Sequence, residues 1–344
     1  MSRLPMKKFV LLTLLTLVVL LLIAAVVLLE GDFPTAEVDA RYSNDQSRFM
    51  TAADGARVHY RDQGNPAGPP VVLVHGSNAS LHTWEPWVER LGEQYRLITM
   101  DLPGHGLTGA VPSAAYDSAA QIATVKALVD QLGVSRFVLG GNSMGGGVSW
   151  RYALEYPQSV SALILVDSSG LWGWRDDPGA ATADDAEGQD AGEDEDKGPL
   201  AFRLLREPWF RGIAGSLDTR ILVEQGLKAS FDDTSKVTNE MIELYYNMSM
   251  RSGTREATLA RFGSFGSRGD DVTEADMATL SMPTLILWGE TDALIPVETG
   301  ARFDSVLPNS QLIVYPDVGH IPMEEVADQS ANDVLEFLAQ RNPA

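Results

Sequence analysis

Phe137-Val138-Leu139-Gly140-Gly141-Asn142-Ser143-Met144-Gly145 is the stretch from which the fold can be read. Residues 137–139 are a short continuous apolar run, as expected of a strand buried on both faces. Residues 145–156 read as a helix, halted before Pro157. Between them lies Gly-x-Ser-x-Gly in a strand–turn–helix setting. Such a turn is so tight that the residues two before and two after the serine must lack bulky side chains. It lifts the Ser143 hydroxyl above the sheet and points the N-terminus of the next helix at it. The Met144 N–H is then free to bind an oxyanion. A phosphate-binding loop is the competing interpretation, but the elbow shows neither Gly-x-Gly-x-x-Gly nor a Gly-Lys-Ser/Thr ending.

The same alternation continues on both sides. Residues 57–61, 71–74, 96–100, 162–166, 284–288 and 311–315 read as strands, most of them nearly uniformly apolar. Residues 119–132 have helical spacing through Ile122, Val125, Leu128, Val129 and Leu132 and stop at Gly133, a C-cap signal. Residues 331–340 read as a last helix. Strand–helix–strand repetition with apolar strands predicts an α/β protein with a doubly wound, mostly parallel sheet.

The regularity breaks from Ser168 to about residue 280. No strand fits there, and helix-like pieces at 200–205, 209–214, 239–250 and 256–265 predict an inserted helical subdomain. Within it, residues 175–198 hold ten acids and two bases, too polar to bury a core of their own and so expected to be a solvated insertion. A calcium site is the alternative, but the Asp-x-Asp-x-Asp-Gly spacing is missing.

A serine nucleophile needs a base, and the chain has five histidines. His59 sits in an early strand, His75 and His105 in Gly-flanked turns, and His82 at a helix-like start. His320 follows the last strand in Asp317-Val318-Gly319-His320, where open α/β sheets hold their sites. The orienting carboxylate expected is Asp292, just past strand 284–288, which gives the chain order Ser143, Asp292, His320. Asp167, at the end of strand 162–166, and Glu290 are its rivals. His75-Gly76-Ser77-Asn78 follows strand 71–74, so the Ser77 backbone N–H is expected to be the second oxyanion donor beside that of Met144.

The 344 residues, 44% of them hydrophobic, are ample for a core. The absence of cysteine excludes disulfides, zinc–thiolate and iron–sulfur sites and a thiol nucleophile. A formal charge of −21 argues against nucleic acid as a partner. At the N-terminus, Arg3, Lys7 and Lys8 precede an apolar run over residues 9–29. At ~1.5 Å per helical residue that run matches a hydrocarbon core of ~30 Å. The basic flank predicts a single-pass anchor with the N-terminus cytoplasmic and the remainder periplasmic or extracellular. Secretion after signal cleavage is the alternative, although no small-x-small site follows. Residues 31–48 then read as a polar stalk.

Four stations together, His75-Gly76, Asp101-Leu102-Pro103-Gly104-His105-Gly106, the elbow at Ser143 and the Asp292/His320 pair, make the chain resemble an α/β-hydrolase from about residue 49 to the C-terminus. The resemblance implies a core in two parts, 49–167 and 281–344, around a helical cap at 168–280, preceded by the anchor (1–30) and the stalk (31–48). It makes 101–106 a structural turn and implies no metal or organic cofactor. A serine at the elbow speaks against haloalkane dehalogenases and epoxide hydrolases, which attack with a carboxylate. Gly-Asn-Ser-Met-Gly-Gly is similar both to bacterial carboxylesterases and lipases and to the meta-cleavage product hydrolases, which cut carbon–carbon bonds. The latter usually carry a Gly-rich loop after His-Gly and a tryptophan after the catalytic histidine. Ser77-Asn78-Ala79-Ser80 and Ile321-Pro322-Met323 look more like the esterase and lipase branch. The expectation is therefore a serine hydrolase acting on small-molecule or lipid esters, with lactonase, cofactor-free haloperoxidase and a membrane-tethered binding scaffold as other readings. Trp172, Trp174, Phe202, Trp209 and Phe210 are candidates either to line an acyl pocket or to form the core of the cap.

Overall fold

The computed structural model describes residues 30–171, 174, 218–264 and 272–340. Its centre is an eight-stranded sheet in the order β1-β2-β4-β3-β5-β6-β7-β8. The strands are β1 (Ser47–Thr51), β2 (Arg57–Gly64), β3 (Pro70–Val74), β4 (Arg96–Met100), β5 (Phe137–Asn142), β6 (Val160–Val166), β7 (Thr284–Gly289) and β8 (Ser310–Tyr315). β1 and β2 form an antiparallel hairpin whose second strand also pairs antiparallel with β4, and every later pair is parallel.

Strict alternation within the parallel strands builds two cores. Val72, Val74, Leu139, Leu163, Leu165 and Ile286 pack on one face, with Val125 and Leu128 of α3 (Ser118–Gln131), Val148 and Tyr152 of α4 (Met144–Glu155) and Phe303 of α9 (Val297–Val306). Val71, Leu73, Val138, Ile164, Val166 and Leu285 point the other way. They meet Trp87 of α2 (Glu85–Leu91) and Val334 and Phe337 of α11 (Ala327–Ala339). Because each strand is covered on both sides, it reads as an unbroken apolar run. The Asp117 carboxylate caps α3 by accepting the Ala120 N–H at 2.9 Å, and Gly133 takes the left-handed conformation just beyond it (φ 66°).

The register matters for the site. Val74 lies opposite Gly141, Asn142 opposite Val166, and Val166 opposite Leu287. The carboxyl ends of β3, β5, β6 and β7 therefore share one edge, and the loops leaving them converge there.

Between β6 and β7 the described residues hold only helices, α5 (Arg220–Ser230), α6 (Asn239–Met250), α7 (Thr254–Ser264) and α8 (Glu274–Met277), with a short 3₁₀ turn. The predicted pieces 200–205 and 209–214, the acidic stretch 175–198, and Trp172, Phe202, Trp209 and Phe210 lie outside the described residues. Trp174 is buried: its ring packs edge-on against Phe303 at 4.9 Å and its N–H donates to Glu274 at 2.7 Å. It serves as packing.

Two expectations change at the N-terminus. Residues 31–48 are no free stalk. They contain α1 (Thr35–Tyr42), whose Val38 is buried with Leu107 and Met248. Asp39 accepts from Arg251 at 2.8 Å, Asp32 accepts from Arg255 at 2.8 Å, and the Phe33 N–H donates to the Met250 carbonyl at 2.7 Å. The acids that suggested a solvated tether are partners of arginines more than 200 positions away, a pairing no local pattern displays. The β1–β2 hairpin likewise extends the sheet where only 57–61 was expected. No helix among the described residues is long and apolar enough to cross a membrane. The anchor expected over 1–30 has its apolar run in residues 1–29, which lie outside the described ones.

Candidate active site

Ser143 sits between β5 and α4 with φ 53° and ψ −122°, a left-handed conformation unusual for a residue with a Cβ. The flanking glycines show what holds it there. A Cβ on Gly141 would lie 2.2 Å from the Gly145 carbonyl oxygen, and one on Gly145 would lie 2.2 Å from that of Val74. The Ser143 N–H donates to the Val166 carbonyl at 3.0 Å, which fixes the elbow to the end of β6. Met144 opens α4, so its N–H has no acceptor within the helix.

His320 Nδ1–H donates to Asp292 Oδ2 at 2.7 Å, with both groups buried. Asp292 is itself held: its Oδ1 accepts the Leu294 and Ile295 N–H groups at 2.7 and 3.1 Å. The imidazole therefore presents Nε2 as its acceptor. The His320 backbone is tied on both sides, its N–H to the Ser230 carbonyl at 2.8 Å and its carbonyl to the Asn142 amide at 3.1 Å. Asn142 thus connects the histidine loop to the residue before Ser143. Ser143 Oγ itself has no hydrogen-bond partner among the described residues, so the serine and the His320–Asp292 pair are brought to one edge but not directly bonded.

The other histidines are committed elsewhere. His59 donates from Nδ1 to the buried Asp101 at 2.7 Å. His75 Nε2 accepts the Leu102 N–H at 3.0 Å while Nδ1–H donates to the Gly76 carbonyl, and burial holds its pKa below the usual value. His105 donates to the Pro103 carbonyl, and burial pushes its pKa far down. His82 lies between Ser80 and Arg61. Of the rival acids, Glu290 is exposed. Asp167 is fully buried and close: one oxygen of Asp167, one of Asp292 and one ring nitrogen of His320 lie within 4.8 Å of one another.

The loop carrying Ser77 abuts the elbow, since a Cβ on Gly76 would lie 3.1 Å from Ser143 Cβ. Nothing in the local pattern pointed to Arg261. This α7 side chain is 1% exposed. It donates to Ser77 Oγ, to Asn78 Oδ1 at 2.8 Å and to Met144 Sδ at 3.6 Å. A buried guanidinium therefore spans both candidate oxyanion residues, and the second arginine of an ordinary helix offers no signal for it. Glu325 was also missed. Its carboxylate accepts the N–H groups of Gly319, Asp232 and Asp233, binding the histidine loop to the turn after α5. Its place five residues after His320 was its one legible feature.

Residues 69–326 match the family described as alpha/beta hydrolase fold. The chain belongs to the α/β-hydrolase fold family. It is a hydrolase of that family, and its relatives divide by chemistry. It is 29% identical over 296 residues to Lipase 1 of Psychrobacter immobilis, covering 86% of this chain and 84% of that one. It is equally 29% identical over 309 residues to a 2-hydroxy-6-oxononadienedioate/2-hydroxy-6-oxononatrienedioate hydrolase of Klebsiella pneumoniae, covering 86% and 96%. Among solved structures it is similar to a thermophilic esterase from Thermogutta terrifontis, with a TM-score of 0.64, 29% identity, and 86% and 99% coverage.

Near the histidine loop, Glu324 of α10 (Pro322–Glu325) accepts from Thr83 and, at 2.8 Å, from the Tyr245 hydroxyl of α6. Burial raises its carboxyl to about 7 despite those two donors. Between the ordinary glutamate range and about 7 the folded state binds the extra proton, so this group's contribution to stability is present at low pH and is lost as pH rises through that window. Glu324→Gln is therefore expected to gain on the wild type from pH 5 to 8, by about 1–3 kcal/mol. Denaturant melts at several pH values measure this, and a stability difference independent of pH would refute it.

Proposed function

We propose that the protein is a serine carboxylic ester hydrolase working through an acyl-enzyme. The observation that carries this reading is the 2.7 Å His320–Asp292 hydrogen bond at the edge where the strained Ser143 elbow emerges. Ser143 Oγ attacks the ester carbonyl carbon as His320 Nε2 takes its proton, and Asp292 fixes the tautomer and stabilises the imidazolium. The N–H groups of Met144 and Ser77 receive the tetrahedral oxyanion, each donor being worth about 3–4 kcal/mol of barrier. His320 then protonates the departing alcohol, and water repeats the sequence on the acyl group. The lipase and esterase relatives support an ester substrate, as do Ser77-Asn78-Ala79-Ser80 and Ile321 in place of a glycine-rich loop and a tryptophan.

One observation favours a second reading. The buried Arg261 side chain reaches the oxyanion loop, which suits a substrate that carries its own carboxylate, as a ring-fission dienoate does. The deciding experiment assays the full-length chain on p-nitrophenyl esters of increasing acyl length and on a ring-fission dienoate. Ester turnover with a chain-length optimum supports the first reading. Dienoate cleavage without ester turnover, lost in Arg261→Met, replaces it with the second.

We infer from the apolar run over 9–29 and its basic flank that the chain is anchored with its hydrolase domain outside the cytoplasm. Retention of the full chain in membranes after an alkaline carbonate wash is the expected result, and complete release would end this inference.

A further inference from the structure

Asp167 is the buried acid that this acyl-transfer scheme does not use. It closes β6 at φ 42°, is 0% exposed, and its N–H donates to the Leu287 carbonyl at 2.9 Å. Its Oδ1 accepts the Gly289 N–H at 2.9 Å, whereas its enclosed Oδ2 receives no hydrogen bond from any donor among the described residues. Asp292 lies next to it but is held quite differently, by three donors: the His320 ring and the Leu294 and Ile295 N–H groups. Two ionised carboxylates enclosed at such a separation repel strongly, and the charge settles on the better-solvated one. Of this pair that is Asp292.

We propose that Asp167 is a protonated positioning residue, whose Oδ2–H donates to the Asp292 carboxylate and so extends the Asp292–His320–Ser143 arrangement by one member. The proton satisfies the orphaned Oδ2 and removes the like-charge conflict. It also keeps the Asp292 carboxylate facing the imidazole. Burial and the Asp292 charge both push the Asp167 carboxyl well above the ordinary aspartate range, with Glu325 adding to this from α10. Tyr315 of β8 is the further titratable group coupled to this acid, so the groups bearing on it are Asp292, His320, Glu325 and Tyr315. The kinetic part of this proposal rests on the Ser143–His320–Asp292 reading. The protonation state does not.

The test has two arms. In the first, kcat/KM for an ester is followed against pH in the full chain and in Asp167→Asn, whose side-chain amide keeps both the acceptor for Gly289 and a donor for Asp292. The acid limb is expected to stay in place, because the substitution removes no charge. If Asp167 were instead ionised, the substitution would remove an anion beside the imidazolium and drop the acid limb by about one pH unit, overturning the proposal. The second arm needs no variant. At about pH 8.5 Glu324 is ionised, and an infrared carbonyl band from a protonated carboxyl should persist in the wild type. Its absence overturns the proposal even if Asp167→Asn does not fold. Activity surviving in Ser143→Ala would defeat the triad reading and leave the infrared result standing.

Discussion

Ser143→Ala is expected to lower kcat on esters by at least about 10⁴-fold, with thermal stability almost unchanged. The catalytic half of the expectation follows from the proposed acyl-enzyme: without Oγ no covalent intermediate forms, and only the oxyanion donors and binding remain to accelerate attack by water. The stability half follows from the structure. Ser143 Oγ makes no hydrogen bond among the described residues, and the elbow is held by its N–H to Val166 and by the packing of Gly141 and Gly145. Alanine keeps the Cβ that already occupies the left-handed conformation, so the folded state should shift by no more than about 0.5 kcal/mol. Single-turnover kinetics beside a denaturant melt separate the two halves. Wild-type turnover in the variant would remove the serine mechanism altogether, whereas an unfolded variant would show that the hydroxyl also supports the elbow.

Asp101→Ala should show the opposite profile. Asp101 lies at the end of β4, fully buried, and accepts from three groups: the His59 ring at 2.7 Å, the Leu81 N–H at 2.7 Å and the Leu107 N–H at 2.8 Å. Burial alone would raise its carboxyl, but the His59 hydrogen bond and charge overcome this and hold it far below the usual range. Gly106 packs directly on it at φ 50°, where a Cβ would lie 2.2 Å from the Asp101 carboxyl carbon. Removing the carboxylate strands two backbone N–H groups and a buried imidazole, at a cost of about 3–5 kcal/mol, or roughly 10 °C in Tm for a chain of this size. Because the folded pKa is depressed, the stabilisation is present above the ordinary aspartate value and is lost as pH falls toward the folded one. The deficit of the variant should therefore narrow in acid. A loss under about 1 kcal/mol at neutral pH would mean that Asp101 is not the hub its hydrogen bonds indicate.

The strands were legible because the parallel ones are covered on both faces and so carry a continuous apolar signal; residues 71–74, 96–100 and 162–166 lie wholly within observed strands. Helix 239–250 was readable to the residue because Thr238 caps it and its apolar spacing is regular. The β1 strand was not. Only Met50 of its five residues is buried, which leaves a half-exposed edge strand without alternation strong enough to detect. Residues 31–48 misled for a related reason: their acids look solvent-directed until the arginines of the α6–α7 region are folded against them.

The candidate site divides along the same line. Local sequence displayed the elbow at Ser143, because the exclusion of a Cβ at Gly141 acts within five residues, whereas the one at Gly145 is imposed by the end of β3, about 70 positions away. It also placed acids and a histidine at strand ends, where the carboxyl edge of a parallel sheet must lie. The choice between Asp292 and Asp167 belonged to the tertiary structure, which puts both within reach of His320 and supplies Asp292 with three donors and Asp167 with one. Arg261 reached Ser77 and Met144 by the same route, across a separation of more than 100 residues. Patterns of turn and burial are written in neighbouring residues, but the solvation of a buried charge depends on which distant donors the fold delivers to it.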